Sequence, residues 1–354
     1  MTASALDPGA VDLDVLDPGG MLRTVEASGD QWRRAVDLAL AAPPPALTMP
    51  RAVVVVGMGG SGIAGDVATL FADRAGRVPV RAHKAYDLPA WVGPQDLVVA
   101  VSYSGNTEET HAALDVAEER GAAVSAVTSG GRLLDRAQAA GWPTTVVPGG
   151  QQPRASLPLL AAPTLVALVR AGVLADGLLE DLRTVGDHVD AVVERLGWDG
   201  TDDRLREVAT ALDAGLPVVY GGVGLAALVA ERARCQINEN AKRPAMSNAL
   251  PEADHNELVG WETGLPSTPL AWWEIRSPDD EHPQVARRFD ATFAASSDAF
   301  ASRTVSELRG PNGLARFAAG VVEVDLVSVY LALLGGVDPT PVASIEQLKA
   351  TIAG

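Results

Sequence analysis

Twice in its first third, this chain runs an unbroken apolar segment into a glycine- and hydroxyl-rich turn, and then into a helical pattern. Arg51–Val56 (RAVVVV) stops at Gly57-Met58-Gly59-Gly60-Ser61-Gly62, with a helix expected over Ile63–Ala75. Leu97–Ser102 (LVVAVS) enters Ser102-Tyr103-Ser104-Gly105-Asn106-Thr107, with a helix expected over Thr107–Gly121. Strands that are apolar without alternation are buried on both faces, as in a parallel sheet covered by helices. Val78–His83, Ala122–Thr128 and Thr144–Val147 read as further strands of the same sheet.

The unit recurs downstream. Residues 156–197 read as two helices, and Leu216–Tyr220 (LPVVY) opens a second strand-turn-helix at Gly221, Gly222 and Gly224, continuing through Lys242. The echo of VVVVGMGG by VVYGGVGL points to a weak internal duplication. Ala271–Ile275 and Val321–Leu326 are expected to extend the second sheet, and Ala343–Ala353 to close the chain as a helix. The fold class expected is α/β, with two doubly wound parallel-sheet subdomains of the αβα sandwich kind. The divisions expected are an extension carrying one helix (1–50), a first subdomain (51–155), a helical bridge (156–200) and a second subdomain (201–354). A length of 354 residues suits two such cores of roughly 150 residues each.

Composition narrows the function. A net charge of −17 argues against nucleic acid, whose phosphates demand clustered Lys and Arg. A small anion asks only for local N–H groups, hydroxyls and one or two cations. The single cysteine, Cys235, has no partner for a disulfide and reads as helix filler. The opening segment has neither the basic nor the apolar part of a signal peptide. Leu157–Val169, broken by Pro158 and Pro163, falls short of the ~20 residues of a membrane helix. A cytoplasmic protein without a membrane partner is expected.

The two turns form a candidate phosphate cradle. Glycines let backbone approach a ligand, and helix N-termini present unpaired N–H groups with a positive dipole end. Hydroxyls at Ser61, Ser102, Ser104 and Thr107 can donate to phosphate oxygens. The spacing Gly57-x-Gly59-x-x-Gly62 also fits a dinucleotide fingerprint. That reading wants an acid after the second strand, where Arg81, His83 and Lys84 stand instead. The plainer alternative makes the hydroxyls ordinary N-caps.

A second signal is the polar stretch Gln236–Glu262, which follows a helix with an apolar stripe of Leu225, Val229, Ala233 and Ile237. Glu239 lies about 200° from Ile237 and so projects off that stripe. A solvated helix end with Glu239 and Lys242 paired at i, i+3 is the competing reading, and His255 by itself could decorate a loop. Chemically, aldose–ketose exchange needs a carboxylate to carry a proton between carbons 2 and 1, an imidazole for ring opening and a fixed cation beside the enediolate oxygen. Arg154 in QQPRASLP is the candidate cation. No cofactor is called for, and no cluster with metal-ligand spacing is visible.

Together GMGGSGIAGD, SYSGNTEET, PRASLP, QINENAKRPA and PEADHNELVGWE resemble the bifunctional phosphoglucose/phosphomannose isomerases of the sugar isomerase (SIS) fold, over approximately residues 50–354. The last two motifs are the most specific. The resemblance implies isomerisation of glucose 6-phosphate or mannose 6-phosphate to fructose 6-phosphate. It assigns Gly59, Gly60, Ser61, Ser102, Ser104 and Thr107 to the phosphate, Arg154 to the enediolate and Glu239 to proton transfer. It further implies that His255 opens the ring from across a homodimer interface and that Lys349 assists. Thr340 in DPTPV would leave space for either epimer at carbon 2. YGGVGL has no hydroxyls, so one phosphate site per protomer is expected. Two other readings share the cradle: a non-catalytic sugar-phosphate-binding regulator, and an aminotransferase half, for which Cys235 lies too deep in the chain.

Overall fold

A computed structural model describes residues 6–8, 11–262 and 268–352. In chain order the helices and strands are α1 (Leu13–Leu16), α2 (Met21–Glu26), α3 (Ser28–Ala41), β1 (Val53–Val56), α4 (Gly59–Ala75), β2 (Val80–His83), β3 (Leu97–Ser102), α5 (Glu108–Glu119), β4 (Ala123–Thr128), α6 (Gly131–Ala140), β5 (Thr144–Val146), α7 (Leu157–Arg170), α8 (Leu178–Leu196), α9 (Arg204–Asp213), β6 (Leu216–Gly222), α10 (Leu225–Asn240), β7 (Met246–Leu250), β8 (Leu270–Arg276), α11 (Pro283–Ser296), β9 (Phe300–Glu307), α12 (Gly313–Leu334) and α13 (Ala343–Ile352).

The chain divides into two compact units. One is Ala27–Asp187; the other joins Met1–Glu26 to His188–Gly354. These limits differ from those expected from sequence. The leading stretch is no separate extension, because α2 packs on α12 in one unit while α3 packs on α7 in the other. Nor is α7 a bridge. It belongs with the first sheet, and its apolar residues are buried nearly all round because it packs against α3, α4, β3 and β4.

The 27–187 unit holds a five-stranded parallel sheet in the order β2-β1-β3-β4-β5. β1 and β3 are buried at every position, as their unbroken apolar runs require. Strand order reverses between β1 and β3, and doubly wound sheets bind ligands at such a switch point, beyond the carboxyl ends of the strands.

The other unit holds a four-stranded parallel sheet, β7-β6-β8-β9. β8, one of its two inner strands, buries Trp272 and Trp273 on opposite faces. Trp272 stacks on Tyr220 at 4.1 Å between ring centroids and meets Phe293 and Phe300 edge-on.

Val321–Leu326, expected as a strand, lies inside α12, which spans 22 residues. A short apolar run does not separate a strand from a buried helix; here the flanking apolar residues extend it to helical length. By length and composition α12 could cross a membrane, but 94% of its most apolar window is buried within the protein, so it is a core helix. The charges it carries are paired. Asp325 receives two hydrogen bonds from Arg232 of α10, at 2.8 and 2.6 Å, with both side chains buried.

Candidate active site

Both glycine-hydroxyl turns sit at the switch point of the five-stranded sheet, one after β1 and one after β3. They are bonded to each other, because Ser61 Oγ accepts the backbone N–H of Tyr103 at 3.0 Å. Within the second turn the Ser102 and Thr107 hydroxyls share a hydrogen bond of 2.8 Å. Ser104 is exposed, and its Oγ accepts the Asn106 N–H at 3.3 Å.

The plainer reading of the hydroxyls as N-caps fails here. Met58 and Thr107 occupy the N-cap positions of α4 and α5, and neither makes a side-chain capping bond. Ser61 links the two turns, while the hydroxyls of Ser102, Ser104 and Thr107 are bonded within the second.

Arg154 joins the cluster. It lies in a 3-10 turn, Pro153–Ala155, and is 3% exposed. The turn presses so closely on Gly60 that a Cβ there would lie 2.9 Å from the Arg154 backbone nitrogen. Gly60 is therefore a glycine of close approach, admitting the arginine turn to the floor of the cradle. The Arg154 guanidinium donates to Gln152 Oε1 at 3.3 Å. Gly59, Gly60, Ser61, Ser102, Ser104, Thr107 and Arg154 thus form one constellation.

Tyr103 is the organising residue that sequence reasoning missed. Besides its N–H on Ser61, its carbonyl accepts from Ser129 Oγ at 2.6 Å, and its phenol oxygen accepts the Gln151 N–H at 3.2 Å. One buried residue therefore ties both turns to the loop leading into Arg154. The available signal was a large aromatic set between two serines of a phosphate-type turn.

In the other unit, Glu239 is the penultimate residue of α10 and is half-buried, while Ile237 is fully buried. Glu239 lines a cleft of about 440 Å³ with Asn238, Lys242 and residues 341–345. Lys242 Nζ donates to the main-chain carbonyls of Glu239, at 2.6 Å, and Pro339, at 2.9 Å, tying the helix end to the loop that carries Thr340.

Thr340, His255 and Lys349 are not among the residues lining that cleft; His255 and Lys349 are exposed. His255 ends a 3-10 turn, Glu252–His255, moored on either side. Asp254 accepts from Arg288 at 2.6 Å and from Thr292 at 2.7 Å. Glu257 accepts from Asn248 at 2.6 Å and from the Tyr220 hydroxyl. Burial, reinforced by Glu257, raises the Tyr220 phenol well above its usual range, so it remains a protonated donor. Lys349 stands on α13, which has no buried residue.

The corresponding turn of the four-stranded sheet is occupied differently. Gly222, the last residue of β6, faces Glu281, which Arg276 at the end of β8 holds through hydrogen bonds of 2.8 and 2.7 Å. An anionic side chain bound there opposes a second phosphate.

These features agree with what known proteins share with the chain. Residues 201–352 match the bacterial phospho-glucose isomerase C-terminal SIS domain, and residues 46–138 match the SIS domain. The bifunctional phosphoglucose/phosphomannose isomerase of Caldicellulosiruptor bescii is 35% identical over 308 residues, covering 85% of this chain and 89% of that protein. That of Aquifex aeolicus is 37% identical over 304 residues, covering 86% and 91%. The C-terminal domain of glucosamine-fructose-6-phosphate aminotransferase from Francisella tularensis superposes with a TM-score of 0.72 at 15% identity, covering 91% of this chain and 98% of that one, a likeness of fold. On the identity and coverage of these relatives, the chain belongs to the bifunctional phosphoglucose/phosphomannose isomerase family.

Proposed function

We propose that this protein interconverts glucose 6-phosphate and mannose 6-phosphate with fructose 6-phosphate through an enediolate. The observation that carries the reading is the setting of Glu239, a half-buried residue that lines a cleft. The phosphate is held by the N–H groups and hydroxyls of the turns at Gly59–Ser61 and Ser102–Thr107. Glu239 removes the proton from carbon 2, the electron pair passes into the enediolate, and the same carboxyl returns the proton to carbon 1. The Arg154 guanidinium keeps its charge at any working pH and stabilises the enediolate oxygen.

Ring opening falls to His255, with Lys349 assisting. The exposure of His255 supports its donation across a homodimer interface to the partner's site. Thr340 neighbours carbon 2 and leaves room for either epimer. Proton transfer by a carboxylate, with a guanidinium to stabilise the enediolate, needs neither metal nor cofactor. The Gly222–Glu281–Arg276 arrangement supports a single phosphate site per protomer.

The test is direct. Purified protein converts each aldose phosphate to fructose 6-phosphate. Glu239→Gln lowers kcat by about a thousandfold, while fructose 6-phosphate still raises the melting temperature, because the phosphate contacts remain. Full turnover in Glu239→Gln refutes the base assignment. Ligand-induced stabilisation without turnover in the unmutated protein would leave a sugar-phosphate-binding regulator.

A further inference from the structure

Two tight turns meet at Gly19. The first is the corner between α1 and α2. Asp17, 6% exposed, accepts the backbone N–H groups of Met21 and Leu22 at 2.8 Å each, which fixes the start of α2. α2 then buries Met21, Leu22 and Val25 and packs on α12, so the corner is anchored to a core helix.

The second turn follows α12. The Thr340 N–H donates to Asp338 Oδ1 at 2.9 Å. Pro339 is held by Lys242, whose ammonium also holds the Glu239 carbonyl, and Pro341 lines the Glu239 cleft. Thr340 thus stands in the chain between Pro339, which Lys242 holds, and Pro341, which lines the cleft; it is not itself a lining residue.

At their meeting point there is no spare volume. A Cβ on Gly19 would lie 2.2 Å from Thr340 Oγ1, 2.5 Å from Thr340 Cβ and 2.7 Å from Thr340 Cγ2. A threonine is branched at Cβ and stiff about χ1, so it cannot swing aside as a long side chain would. Any residue larger than glycine at position 19 must displace Thr340.

We propose that Gly19 is a specificity-determining residue, and that the α1–α2 corner governs discrimination between sugar phosphates epimeric at carbon 2 by setting the position of Thr340. The inference rests on the reading of Thr340 as the neighbour of carbon 2. It gives a task to a segment outside both family-model matches, which cover residues 46–138 and 201–352. C2 epimers differ only in the direction of one hydroxyl, so a small displacement of the group beside it changes their relative transition-state energies.

The readout is the ratio of kcat/KM for mannose 6-phosphate to that for glucose 6-phosphate. Both are measured on one preparation, so the fraction of folded enzyme cancels. Gly19→Ala lowers this ratio by about tenfold, because the displaced Thr340 takes up the space that admits the second epimer. Thr340→Leu, which fills that space directly, shifts it in the same direction.

Gly20→Ala is the control. Gly20 has φ +66°, and a Cβ there meets nothing within 4 Å. The substitution strains the corner and lowers the melting temperature but leaves the ratio within about twofold of the unmutated value.

If Thr340→Leu shifts the ratio and Gly19→Ala does not, or if Gly20→Ala shifts it equally, the role of Gly19 is refuted. If Thr340→Leu changes nothing, the reading of Thr340 itself fails. Should Gly19→Ala yield no folded protein, Gly19→Ala combined with Thr340→Gly removes the clashing atoms and restores folding; persistent misfolding would likewise refute the contact.

Discussion

Among the cradle hydroxyls, burial assigns different duties. Ser104 is exposed and bonded only loosely to its own turn, whereas Ser61 is 5% exposed and accepts the Tyr103 N–H. Ser104→Ala should therefore remove a phosphate contact made equally in ground and transition states. The expected outcome is a KM for sugar phosphate about tenfold higher with kcat unchanged, checked by steady-state kinetics. Ser61→Ala additionally leaves a buried N–H without its acceptor, so it lowers the melting temperature as well as raising KM.

One element, the pair of 3-10 turns spanning Glu252–Trp261, presents His255 to solvent without itself being loose. Asp254 is held by Arg288 and Thr292 of α11, and Glu257 by Tyr220 of β6 and Asn248 of β7, so His255 stands in the chain between two moored residues. Asp254→Ala cuts one mooring without touching the imidazole. It should lower kcat on the cyclic sugar by about tenfold or more while circular dichroism stays native, since small misplacements of a catalytic group are costly. Unchanged turnover with a native spectrum would show that the mooring has no part in presenting His255.

At the scale of the whole molecule, the buried helix α12 couples stability to pH. The Glu323 carboxyl is lifted by burial from its usual 4.5 to about 7, against the opposing pull of Arg204 and Arg195. Arg204 meets it at 2.9 Å but is itself 38% exposed, and the second carboxyl oxygen is buried without a hydrogen-bond partner, so burial wins. Between those pH values the folded protein holds a proton that the unfolded chain has released. The stability that Glu323 contributes therefore falls as pH rises from about 4.5 through about 7, by up to about 3 kcal/mol. Glu323→Gln removes this slope, and its melting temperature should gain several degrees on the unmutated protein between pH 5 and pH 8. Parallel curves for the two proteins would refute the assignment.

Local pattern was enough to define the five-stranded sheet, the two glycine-hydroxyl turns and the off-stripe position of Glu239, because strand burial, turn chemistry and helical phase are properties of neighbouring residues, but it gave only β6 and β8 of the second sheet and missed β7 and β9. Val321–Leu326 was misread for the same reason: a six-residue apolar run is ambiguous until the 22-residue helix around it is seen. Folding alone decided that Tyr103 joins the two turns to the Arg154 loop, and that α2 and α3 belong to different units. It also brought Gly19 against Thr340, residues more than three hundred positions apart. Such pairings leave no periodic trace in a chain, since they depend on which surfaces are buried together rather than on which residues follow one another.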